Sequence, residues 1–324
     1  MNRTQSRRAA LGILGSAAVA SVAGCLGGDG EETVRVSGGV GPLPMVEVWV
    51  DLYEEQTDAR FDVSGGGTGV GVSDVLNDQV DIAMMGREPE SEEEEQGLFA
   101  VPMLIDTVVG TVNVENPVLD ELQSDGLTRE QLESVFLRET TNWGELVDAD
   151  VDEEIVVYGR SDASAAYKQW GDFLAGEADA YTQNDLQSVA DANYNGDQPV
   201  AEAIASEPNA ISLNNINYVY DLSSGELEGD ITPVPLDRDG TGLDPAEDFY
   251  ETRDEFLSAV EAGDYPAPPA REMFLAADDG FEGEAASFVE WVLTEGQQYV
   301  RENGYVPLEQ DRLDEALDAL PGGS

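Results

Sequence analysis

The 324-residue chain has no histidine, one cysteine and one lysine. Without an imidazole there is no ordinary general base near neutral pH, so Ser–His–Asp chemistry and His-ligated zinc or haem are excluded. A lone Cys25 leaves no intrachain disulfide, no CxxC redox pair and no cysteine-held iron–sulfur cluster. Positive charge is scarce too: 15 Lys plus Arg face 68 Asp plus Glu, for a formal net charge of −53 and a pI near 4.1. No basic stripe exists to replace phosphate counterions, which argues against a nucleic-acid partner. Apolar content is not lacking. Hydrophobic residues make up 41% of the chain, enough for a folded core and unlike an acidic disordered chain. The length suggests roughly two domains, at about 100–200 residues each. The acids are spread along the whole chain, so they belong to a surface and not to a tail. Such self-repulsion is tolerable in brine, where at about 1 M salt the Debye length is roughly 3 Å. A halophilic protein is expected.

The N-terminus reads as an address. Met1–Arg8 carries three Arg and no acid, Ala9–Val22 is small and apolar, and Val22-Ala23-Gly24-Cys25 follows. A basic start, a short apolar run and a small-residue cleavage site predict a signal peptide over residues 1–24. Ser6-Arg7-Arg8 with Leu11 resembles a twin-arginine export signal, although Ala10 occupies its second hydrophobic position. Cys25 stands where a lipobox places the lipid-bearing cysteine, and residues 25–32 form a Gly-rich tether. Cleavage would remove Arg3, Arg7 and Arg8 and leave 12 cations in the mature chain. An exported, lipid-anchored protein at the outer face of the membrane is expected.

Thr33–Ser37 alternates as a strand and runs into Gly38-Gly39-Val40-Gly41-Pro42. Met45–Glu54 has helical spacing, Ala59–Val63 reads as a strand, Ser64–Gly71 as a Gly-rich loop, Val72–Asn77 as a helix and Val80–Met85 as a strand. This order predicts α/β structure with parallel strands, and ligands beyond the strand C-termini where Gly-rich loops meet helices. A second set follows Asn116-Pro117. Its parts are a helix over Thr128–Phe136 with a Thr128/Gln131 capping box, a strand over Glu154–Tyr158, and a loop Gly159–Ser164 entering a helix to Leu174. Gln198–Ala205 and Asn215–Tyr220 are helix candidates, Met273–Ala277 a strand and Ala285–Arg301 one long helix. Two α/β lobes result.

Ser64–Gly71 matches neither the dinucleotide fingerprint nor a P-loop. Its backbone N–H groups and the Thr68 hydroxyl suit an anion; a tight turn without ligand is the alternative. In Gly159–Ser164, Arg160 offers a planar donor fork, Ser164 a hydroxyl, and Asp162 a carboxylate to hold the guanidinium. Arg87 leaves the third strand in an equivalent position. The competing reading for either Arg is a surface ion pair. Glu92–Glu95 reads as a solvated face, Asp237–Asp244 resembles a calcium loop only loosely, and no metal or cofactor is expected.

The chain resembles the phosphate-binding proteins of high-affinity phosphate ABC transporters (PstS-like). The resemblance lies in Leu127–Leu132 (LTREQL), Val135-Phe136, Thr141-Asn142-Trp143, Ile155–Ala166 (IVVYGRSDASAA), Asn209-Ala210-Ile211, Glu295-Gly296-Gln297 with Gly304–Leu308 (GYVPL), and Asp81–Arg87 (DIAMMGR). It implies a two-lobed, periplasmic-binding-protein-like α/β fold of type II with the ligand cleft between lobes. Residues 33–112 and 270–324 would form lobe I and 113–269 lobe II. It also implies ligand-binding positions at Gly41, Thr68, Gly86, Arg87, Arg160, Asp162, Ser164, Ala165 and Ala166. Three of these depart from the family pattern, since Gly41, Gly86 and Ala166 stand where hydroxyl side chains occur. The resemblance assigns no residue to the Asp that in other branches accepts the proton of hydrogen phosphate. The implied function is a monomeric, non-enzymatic, extracytoplasmic protein that delivers phosphate or a related oxyanion to an ABC permease. The alternatives are a sulfate, molybdate or tungstate binder, a phosphatase on this scaffold, and a cell-surface sensor or adhesin without transport role.

Overall fold

Ten strands carry the architecture: β1 (Thr33–Gly38), β2 (Arg60–Gly65), β3 (Ile82–Met85), β4 (Leu98–Asp106), β5 (Val108–Asn113), β6 (Val156–Arg160), β7 (Ala192–Tyr194), β8 (Ala210–Asn215), β9 (Ile231–Pro233) and β10 (Arg271–Asp278). They come from a computed structural model that describes residues 33–320 apart from 163, 245 and 246. The expected signal peptide, Cys25 and tether lie outside the described residues. The strands form two five-stranded sheets, ordered β2-β1-β3-β10-β4 and β7-β6-β8-β5-β9. This is the two-lobed type II arrangement, with one sheet in each lobe.

The expected parallel pairing holds for β1 with β2 and β3 and for β6 with β7 and β8. It fails for β10, antiparallel to β3 and β4, and for β5, antiparallel to β8 and β9. The reason is the double crossing. β5 and β10 each enter a sheet from the other lobe and run away from the crossing, while their neighbours run toward it. The first crossing falls at Thr107, between β4 and β5, so Val108–Val112 belong to the second sheet and not, as expected, to lobe I. Leu98–Ile105 and Val108–Val112 are both mainly apolar, and local hydrophobicity carries no information about which sheet a buried strand joins.

Each lobe has its own core. Trp49, Phe288, Val292 and Met103 fill one face of the first sheet, and Trp143, Tyr167, Trp170 and Phe136 one face of the second. Each such side chain contributes about 1.5–3 kcal/mol by burial. The helix Arg129–Phe136 starts as expected: Thr128 Oγ1 accepts from the Gln131 N–H at 3.2 Å, and Gln131 Oε1 accepts from the Thr128 N–H at 2.8 Å. The long helix expected over Ala285–Arg301 is instead an α-helix over Gly283–Leu293, broken at Thr294 and followed by 3₁₀ turns at Glu295–Tyr299 and Arg301–Asn303. The Gly296 carbonyl is claimed by the Trp49 indole N–H at 2.8 Å, and a Cβ at Gly296 would lie 3.0 Å from that nitrogen. Asn215–Tyr220 yields only the 3₁₀ turn Ile216–Tyr218, because Asn215 ends β8.

Candidate anion-binding site

In the first lobe the site is made of backbone. β1 ends at Gly38, whose φ of +133° is open to glycine and whose carbonyl accepts from the N–H groups of Gly66 and Gly67 at 2.9 and 2.8 Å. A Cβ there would fall 2.3 Å from the Met84 carbonyl oxygen. The loop after β2 is thus pinned against β1, and the following helix begins at Thr68, four residues before the expected start at Val72. Thr68 is buried in the first turn, and its Oγ1 accepts from the Gly86 N–H at 3.0 Å. The Val70 and Gly71 N–H groups turn back to the Gly67 carbonyl, and the N–H groups ahead of them lie at the positive end of the helix, disposed toward negative charge.

In the second lobe β6 delivers Arg160, which is 3% exposed. Its Nε and Nη2 donate to the two oxygens of Asp162 at 2.9 and 2.8 Å, and Nη1 lies 2.9 Å from Asp197 Oδ1 without an aligned hydrogen bond. Asp162 is held in turn by the Gly196 N–H at 3.0 Å. Burial opposes ionisation of Asp162, but the Arg160 guanidinium outweighs it and holds the carboxyl below the usual range. Burial likewise works against the Arg160 charge, and Asp162 and Asp197 reverse it, raising its pKa. Ser164 caps the helix Ala165–Ala175 by accepting from the Tyr167 N–H at 3.2 Å. A second helix N-terminus therefore faces the first.

A cavity of about 470 Å³ separates them. From the first lobe Gly41, Thr68 and Gly86 line it, and from the second Arg160, Asp162, Ser164, Ala165 and Ala166. The fit between lobes is close: a Cβ on Gly86 would come within 3.3 Å of the Ala165 Cβ. At Gly41, a Cβ would meet Met273 Cε at 2.9 Å, so Met273 occupies the space that a side chain there would need. Arg87 is not in this cavity. Its Nη1 and Nη2 donate to both oxygens of Glu93 at 2.8 and 2.7 Å, and it lines a separate cavity of about 1060 Å³ beside Lys168 and Arg129. Glu93, placed by sequence on a solvated face, is the acidic partner of the capping box that starts at Glu90.

Sequence reasoning missed Arg271, Met273, Asn195, Gly196 and Asp197, all of which line the cavity. Asp197 opens the helix Asp197–Ala205 and brings a carboxylate into the site. Arg271, the first residue of β10, is 9% exposed; its Nη2 donates to Asp106 Oδ2 at 2.8 Å, while Nε and Nη1 are buried and have no partner among the described residues. Asp106 also accepts from Asn215 Nδ2. Complete burial pushes the Asp106 carboxyl up, although the charge and hydrogen bond of Arg271 pull the other way. Asp237, from the loosely calcium-like segment, spends its carboxylate on the backbone N–H groups of Asp239, Gly240 and Gly242.

A family profile described as a PBP superfamily domain matches residues 25–295. The chain belongs to the PBP superfamily. Among PBP-like relatives, the "Phosphate-binding protein PstS" of Bacillus subtilis is 24% identical over 282 residues, covering 85% of this chain and 81% of that protein. Protein SphX of Synechococcus elongatus is 24% identical over 293 residues, covering 86% of this chain and 76% of that protein. A Clostridium perfringens protein, described as a phosphate ABC transporter substrate-binding protein and solved with bound phosphate, superposes with a TM-score of 0.67 at 20% identity, over 86% of this chain and 100% of that one.

Proposed function

We propose that this PBP-superfamily protein is the extracytoplasmic binding component of an ABC importer and that its ligand is inorganic phosphate. The observation that carries the reading is the convergence of buried Arg160 and two helix N-termini, at Thr68 and at Ala165, on one interlobe cavity. Such a constellation binds a tetrahedral oxyanion and has no means to transform it, so no enzymatic activity is proposed. The names of the Bacillus relative and of the Clostridium structure with phosphate bound support the choice of ligand. So does Asp197. A carboxylate lining the cavity repels a fully deprotonated oxyanion and accepts the proton of hydrogen phosphate, which disfavours sulfate, molybdate and tungstate.

Gly41, Gly86 and Ala166 supply no hydroxyl, so recognition rests on main-chain N–H groups, Thr68, Ser164 and Arg160. The residues before Thr33 serve as an export signal with lipid attachment at Cys25. The mature protein acts as a monomer in high salt, where screening lets an acidic surface coexist with an anionic ligand. Titration calorimetry in high salt with phosphate, sulfate and tungstate tests the ligand. Phosphate binding with little response to the others is expected; tight tungstate binding beside no phosphate binding overturns the reading. Mass analysis of membrane-extracted protein should find a lipid-modified Cys25 as the first residue.

A further inference from the structure

Two of the three nitrogens of Arg271 are buried with no partner among the described residues, which is costly for a charged donor unless something completes them. The third is gripped by Asp106, and that grip orients the fork. The residue lines the same interlobe cavity as Arg160 and also borders the larger cavity that holds Arg87, and its Nη2 lies 3.5 Å from where a Gly41 Cβ would stand. Gly41 is itself fixed there, since its carbonyl accepts from the Tyr305 hydroxyl at 2.8 Å. Arg87, the residue that sequence put forward as the first lobe's guanidinium, has both terminal nitrogens consumed by Glu93.

We propose that Arg271 is the second anion-binding guanidinium of the cleft, donating one of its two unpartnered N–H groups, Nε–H or Nη1–H, to the bound oxyanion while Asp106 positions it; the two groups diverge too widely for a single tetrahedral anion to take both. This rests on the anion-binding reading of the cleft and names a contact within it. The placement has a mechanical consequence. Asp106 ends β4 at the outward crossing, Arg271 begins β10 at the return crossing, and Asn215, which also donates to Asp106, ends β8 in the second lobe. An anion held by Arg271 is thereby tied to both crossings and to both sheets.

The test is calorimetry with inorganic phosphate in high salt on the wild-type chain, Arg271→Gln and Arg160→Gln. One charge-assisted hydrogen bond predicts a loss of about 10- to 100-fold for Arg271→Gln. An Arg271→Gln affinity within about threefold of wild type, beside a large loss in Arg160→Gln, overturns this proposal and leaves the anion site standing. A wild-type protein that binds neither phosphate nor sulfate overturns the anion reading itself. Arg271→Gln leaves Asp106 as a buried unpaired carboxylate, so the double variant Arg271→Gln/Asp106→Asn guards against misfolding; it should fold and still show the loss. Arginine side-chain NMR needs no disruptive variant. With its Nε–H and Nη–H signals assigned by Arg271→Lys, at least one wild-type Arg271 resonance should move on adding phosphate. If none of them moves at saturation, the anion touches neither nitrogen and the proposal fails.

Discussion

Arg160 and Arg87 look alike in sequence, one Arg following one strand in each lobe, yet only Arg160 reaches the cleft. The difference lies in how the neighbouring acid grips the guanidinium. Asp162 takes Nε and Nη2 of Arg160 along one edge, which leaves Nη1 beside Asp197 without an aligned bond. Glu93 takes both Nη1 and Nη2 of Arg87 end-on, and the Glu88 carbonyl shares Nη1 at 2.8 Å. An edge-on partner leaves the outer nitrogen Nη1 uncovered, whereas an end-on partner covers the outer end of the fork. In a chain with 68 acids, finding a carboxylate for an Arg is easy, so the geometry of the pair decides whether it is a site or a clasp.

The largest break in this comparison is Arg160→Gln. It removes the charge and strands Asp162 and Asp197 beside each other, with Asp162 half-buried. Phosphate affinity should fall by about 100- to 1000-fold, measured by calorimetry, with a loss of stability of about 2–4 kcal/mol in chemical denaturation. An affinity within tenfold of wild type would place the ligand elsewhere. Asp197→Asn is the next step down. It relieves the repulsion of a fully deprotonated anion and removes a proton acceptor, so the preference for phosphate over sulfate should narrow by about tenfold, a change of about 1.4 kcal/mol. Equal selectivity in the two proteins would show that Asp197 serves only to hold Arg160.

How much of this was legible depends on whether the signal was local. The turn from β6 through Arg160 and Asp162 to the Ser164 cap is a strand–loop–helix pattern contained in ten residues, and Thr128 with Gln131 likewise states a helix start in four. Arg271 gives no such signal. It follows a proline-rich loop, and its partner Asp106 lies 165 residues away. The fate of Arg87 turned on Glu93, which sits in a run of four glutamates where any one could be the solvated one. The crossing at Thr107 was hidden for a third reason: strands on both sides of it are buried, and buried strands in either sheet have the same composition.

Acid titration sharpens the comparison with a smaller effect. Asp162 and Glu93 both have lowered pKa values, Asp162 because Arg160 outweighs its burial and Glu93 chiefly through the hydrogen bond from Arg87. A carboxyl with a lowered folded pKa contributes stability that is fully present above its unfolded value of about 4 and is lost as pH falls through the folded value. Melting temperature should therefore fall on acidification below about pH 4. That acid limb should be shallower in Arg160→Gln, where Asp162 returns toward its ordinary range; an unchanged slope would show that the Asp162–Arg160 pair contributes nothing to stability.

The smallest expected effect is the most diagnostic for Arg87. Its clasp with Glu93 is partly exposed, with side-chain exposures of 22% and 14%, so solvent screens it. Arg87→Gln should cost about 1 kcal/mol, or about 2 °C in melting temperature, and leave phosphate affinity within about threefold. Glu93→Gln gives the sharper outcome. Neutralising the acid weakens its hold on both Nη groups, so if the clasp is all that keeps Arg87 from acting as a ligand, this variant should bind phosphate more tightly than wild type. If it does not, Arg87 is held away by the position of its backbone, and the two strand-end arginines differ in their place in the fold as well as in their partners.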